Sequence, residues 1–84
     1  MRRKSNEEIM TKYRVISQLT MGDIIFRDCA VYKTELEGIK GYKDTVWDYQ
    51  GMIRRLQNDV DIAGYVELLE INDSDIHVLR STEF

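Results

Sequence analysis

Proline is absent from the 84 residues, and cysteine, histidine and tryptophan occur once each. A single thiol, Cys29, excludes an internal disulfide. It lies in the apolar run Cys29–Tyr32, where free cysteine is expected as a buried, reduced core residue. The reducing cytoplasm is the compartment this implies, the host's if the chain is viral. One histidine and one cysteine, far apart in sequence, do not make a metal-binding cluster. Nothing in the spacing of Cys29 and His77 supports a nucleophile–base pair. The longest apolar run is four residues, which excludes a membrane-spanning helix. Met1–Lys4 has the charge of a signal-peptide start, but polar Ser5–Glu8 follows in place of an apolar stretch. Phosphate-binding glycine loops, paired-cysteine motifs and nucleophile elbows are all missing. No cofactor is implied, and the chain is expected not to be an enzyme.

What remains is ordinary in composition and uneven in charge. Eighty-four residues make one small domain with a modest core, so self-association would be a cheap way to gain burial. The net charge is −3. Arg2, Arg3, Lys4, Lys12 and Arg14 outweigh Glu7 and Glu8 at the start. Asp59, Asp61, Glu67, Glu70, Asp73 and Asp75 fall in a stretch, 59–76, with no Lys or Arg. Such a dipolar chain can pair with itself or offer an acidic patch to a basic partner. Asp73-Ser74-Asp75 alternates oxygen ligands, but the glycine and glutamate of a calcium loop are missing, and turn chemistry accounts for these residues.

The strongest pattern is at the C-terminus. Residues 65–71 and 76–82 register around Asn72–Asp75 as a β-hairpin. Ile71 meets Ile76, Leu69 meets Val78 and Glu67 meets Arg80 on one side; Glu70 meets His77 and Leu68 meets Leu79 on the other. Both faces are partly apolar, so each needs a cover.

Upstream, Ser5-Asn6-Glu7-Glu8 reads as a capping box, which predicts a short helix over about 6–13. Gly22 marks a turn. Residues 24–36 are rich in β-branched and aromatic types and favour strand. The steps Ile25, Cys29, Tyr32, Leu36 and Ile39 would equally suit a helix. Gly38–Gly41 is expected to break what precedes it. Asp44 then caps a helix over about 44–58, carried by Val46, Tyr49, Ile53, Leu56 and Val60. The ends, 1–4 and 83–84, are expected to fray.

The fold this predicts is α+β: a short N-terminal helix, two strands or a bent hairpin over about 13–36, the central helix, and the C-terminal hairpin. A small β-barrel and a helical hairpin are the alternatives. The expected function is a non-catalytic protein-binding or regulatory module, such as a small inhibitor or adaptor, able to self-associate. Val66, Leu68 and Leu79, on the hairpin's second apolar face, and the loop acids Asp73 and Asp75 are the candidate contacts. The alternative is nucleic-acid or nucleotide binding through Arg2, Arg3, Lys4, Arg54 and Arg55 with Trp47. Aromatics stack on bases and arginine grips phosphate, although the acidic net charge opposes it. Trp47 could also complete the core.

Overall fold

The computed structural model describes residues 11–56 and 60–84. Its elements are β1 (Lys12–Met21), β2 (Ile24–Tyr32), α1 (Glu35–Arg55), β3 (Ile62–Ile71) and β4 (Ile76–Glu83). The strands form one antiparallel sheet in the order β2-β1-β3-β4. The α+β class holds, with one helix among the described residues. Most of the expected N-terminal helix lies outside those residues. Its end is corrected: Lys12 and Tyr13 already belong to β1.

Alternation builds one side of the sheet. Val15, Ser17 and Leu19 of β1 point to the same face as Val66 and Leu68 of β3, and all five are buried. The helix covers them with Tyr42 and Tyr49. Leu19, Val66 and Leu68 are the largest fully buried side chains, and each contributes about 1.5–3 kcal/mol through burial. The one buried polar side chain among the described residues, Ser17, shares a 2.9 Å hydrogen bond with the Tyr49 hydroxyl. Tyr42 reaches across to Thr82 of β4 by its hydroxyl.

The strand reading of 24–36 holds for Ile24–Tyr32, and the rival helical stripe is not realised there. Gly22 takes a φ of 60°, a left-handed conformation that only glycine adopts freely. It lets Met21 pair directly with Ile24. Its N–H donates to the Asp61 carbonyl at 3.0 Å, tying the turn to the approach to β3.

The helix starts nine residues before Asp44, at Glu35. Thr34 is the cap: its hydroxyl accepts from the Glu37 N–H at 3.2 Å. Glu35 and Glu37 in the first turn, and Arg54 and Arg55 in the last, suit the helix dipole. Gly38–Gly41 therefore does not break the chain. Gly38 is buried, and a Cβ on Gly41 would overlap the Tyr32 ring. These residues lie against the sheet and let helix and sheet approach closely.

The hairpin needs one correction. Ile71–Ile76, Glu70–His77 and Leu69–Val78 pair as expected, but a bulge follows between Leu68 and Leu69. Beyond it Leu68 pairs with Arg80 and Glu67 with Ser81, so neither Leu68–Leu79 nor Glu67–Arg80 forms. The C-terminus is not frayed either. Glu83 belongs to β4, the Phe84 N–H donates to the Gly64 carbonyl at 3.0 Å, and its ring meets Tyr49 edge-on at 5.9 Å.

Candidate interaction surface

A four-stranded sheet with its helix on one side has a second side. Here it is formed by the residues that alternate with the core. The register sets them in rows across β2, β1, β3 and β4. One row is Val31, Arg14, Leu69 and Val78. The next is Cys29, Ile16, Glu67 and Ser81, followed by Arg27, Gln18, Tyr65 and Glu83. Towards the β3–β4 loop, Lys12, Ile71 and Ile76 make a further row; at the other end stand Ile25, Thr20 and Ala63.

Leu69, Ile71, Ile76 and Val78 form an apolar cluster on this face. Ile76 is 64 % exposed and Val78 56 %, with Val31 and Ile25 similarly open. A solvent-facing antiparallel sheet is ordinarily polar. Two shallow hollows flank Tyr65, one against Thr20, Ala63 and Glu83, the other against Ile16, Arg27 and Cys29. Charge divides the face lengthwise. Its cations, Lys12, Arg14 and Arg27, stand on β1 and β2, and its acids, Glu67 and Glu83, on β3 and β4. The Arg27 guanidinium donates to Gln18 Oε1 at 3.0 Å and has no carboxylate within ion-pair distance among the described residues.

The two edge strands differ. On β2 the Cys29 N–H donates to the carboxylate of Asp28 at 2.9 Å. That satisfies one donor and blunts the edge. On β4 the bulge interrupts the ladder.

The residues expected to bind separate into three groups. Val66 and Leu68 are 0 % exposed beneath the helix and cannot meet a partner in the folded chain; they are core, a correction to their reading as contacts. Leu79 sits at the bulge and is 37 % exposed. Asp73 and Asp75 are exposed in the loop, beside the apolar cluster, where the Asn72 N–H donates to the Asp75 carbonyl at 2.9 Å. Cys29, expected in the core, is exposed on the open face.

Trp47 is not core. It stands 67 % exposed on the outer side of the helix, with the Arg54 guanidinium 5.8 Å from its ring centre. Arg55 is exposed beside them, whereas Arg2, Arg3 and Lys4 lie outside the described residues. His77 faces Glu70 on the helix side. In the same row the Tyr13 hydroxyl points to Glu70 Oε2 at 3.5 Å. Burial, reinforced by the Glu70 and Glu35 carboxylates, raises the Tyr13 phenol above its ordinary range.

The open-face residues were within reach of the hairpin pattern, since Ile71–Ile76 and Leu69–Val78 are its first apolar pairs. The pattern does not say which of its two faces the helix takes. Among the described residues, no three His, Cys, Asp or Glu side chains gather as a metal site, and no helix is long and apolar enough to cross a membrane. Compared with known proteins, the chain matches no family model, no curated protein and no solved structure.

Proposed function

We propose that this chain is a non-catalytic protein-binding module of the inhibitor or adaptor kind, acting in the cytoplasm through the open face of its sheet. The observation that carries this reading is the apolar cluster of exposed Ile76 and Val78 with half-buried Leu69 and Ile71, bordered by Asp73 and Asp75. Contiguous exposed apolar surface rimmed by polar residues marks interaction sites. The cluster lies on rigid strands, so it would bind with little ordering cost.

The test is affinity capture with the wild type, an Ile76→Ser/Val78→Ser variant, and Trp47→Ala as a control on the opposite side. The reading expects a partner retained by wild type and Trp47→Ala and lost by the open-face variant. Retention by the open-face variant and loss by Trp47→Ala would move the site to the helix.

That second location has its own support in the exposed Trp47–Arg54 pair. It favours nucleic-acid or nucleotide binding as the alternative. Trp47 is the sole tryptophan, so its fluorescence reports directly on stacking. Quenching by a generic oligonucleotide that fades steeply with salt would support this alternative. Unchanged fluorescence at low salt would remove it.

A further inference from the structure

We infer that the open face takes a second copy of this chain, packed face to face about a twofold axis that runs along the strands between β1 and β3. This rests on the protein-binding reading above and names its partner.

Aligned packing of the two sheets leaves two in-plane directions for the axis, along the strands and across them. An axis across the strands would lay each strand over its own counterpart. Arg14 and Arg27 would then face the same basic half of the partner, and Glu67 its acidic half. An axis along the strands exchanges the halves instead. It sets β2 over the partner's β4 and β1 over the partner's β3. From the register, Arg27 then comes opposite the partner's Glu83, Val31 opposite the partner's Val78, and Gln18 opposite the partner's Tyr65. Lys12 and Arg14 cover the partner's Ile71 and Leu69 with their aliphatic stems, and Arg14 comes within reach of the partner's Glu67. Of the two, only this arrangement sets Arg27 and Arg14 against acids. Each ion pair occurs twice, as a twofold interface requires.

The size is sufficient. Strands about 4.8 Å apart, rising about 3.3 Å per residue, give the face roughly 600 Å². Two copies would then bury roughly 1,200 Å², the lower end of the range for specific interfaces. Aligned sheet packing about 10 Å apart would take Val31 and Val78 of both copies out of water, with Leu69 and Ile71 under the stems of Arg14 and Lys12.

The experiment is sedimentation equilibrium of the full chain from low micromolar to millimolar concentration, with Arg27→Glu, Glu83→Arg and the double exchange. Circular dichroism melts confirm that each variant folds. Either single exchange sets like charges against each other and is expected to weaken the dimer about tenfold or more. The double exchange restores opposite charges and is expected to recover wild-type affinity to within about threefold. A chain monomeric at millimolar concentration overturns the second copy as partner. The capture result with Ile76→Ser/Val78→Ser then decides the protein-binding reading separately. A dimer indifferent to the single exchanges, or not rescued by the double one, overturns this arrangement.

Discussion

The two sides of the sheet are built from alternate residues of the same strands, and they have opposite fates. On the helix side Leu19, Val66 and Leu68 are fully buried. On the open side Val31, Ile76 and Val78 are more than half exposed. Apolar character does not separate them, because valine, leucine and isoleucine occur on both. The cover does. The helix is the only helical layer among the described residues, and its buried Gly38, Tyr42 and Tyr49 seal the strip over β1 and β3. The apolar residues opposite that strip have no equivalent within the described chain.

The comparison breaks most visibly at Leu68. Leu68→Ala removes a fully buried side chain and is expected to lower stability by about 2–5 kcal/mol. Urea denaturation would show it as a large fall in midpoint, against a domain stability of roughly 5–15 kcal/mol or less. A loss below about 1 kcal/mol would mean that the helix does not close this side.

Tyr49→Phe is the polar version of that test. It keeps the ring that packs on Phe84 and strips Ser17 of the hydroxyl partner it has at 2.9 Å. A buried hydroxyl left unpaired costs about 1–3 kcal/mol. Ser17→Ala added to Tyr49→Phe should recover part of that loss, since no orphaned group remains. The four melting curves of the cycle measure the coupling.

These core positions show what was legible in the sequence. The hairpin loop and its first three pairs were readable because Ile71–Ile76, Glu70–His77 and Leu69–Val78 match in type across Asn72–Asp75. The bulge was hidden because Glu67 and Arg80 look like a pair and reward the unbulged register. The body of the helix showed in Val46, Tyr49 and Ile53. Its first nine residues did not, because Gly38 and Gly41 resemble breakers. The Thr34–Glu37 spacing of a capping box was the available signal. Which face is core could not be read from Val66–Leu69, where Leu68 and Leu69 put leucine on both parities. The helix makes that choice through contacts distant in sequence. For the same reason the sequence points to Val66 and Leu68 as contacts where the open face carries Leu69 and Val78.

Gly51 sharpens the comparison from the helix. Gly41 touches the sheet, but a Cβ on Gly51 would meet nothing within 4 Å. Gly51→Ala should therefore gain helix propensity without a clash, stabilising the fold by up to about 1 kcal/mol. Gly41→Ala should destabilise it, because the new methyl overlaps the Tyr32 ring. Opposite shifts in melting temperature from one substitution at two sites in one helix would separate packing from propensity.

The smallest stability effect belongs to the open face, and it tests the comparison most directly. Val78→Thr keeps the β-branched shape that suits a strand and replaces one methyl of an exposed side chain with a hydroxyl. Water already reaches Val78, which is 56 % exposed, so little transfer energy is at stake within one chain. The expected change in monomer stability is within about 0.5 kcal/mol, read from denaturation at low concentration, where association contributes least. Denaturation at high concentration should respond differently. If the face is covered there by a second copy, the wild-type midpoint rises with protein concentration by mass action. The Val78→Thr midpoint should rise less, because the hydroxyl would sit against the partner's Val31. A midpoint independent of concentration in both proteins would leave the open face uncovered by a second copy. A large loss already at low concentration would place Val78 in the monomer's own core and erase the difference between the two sides.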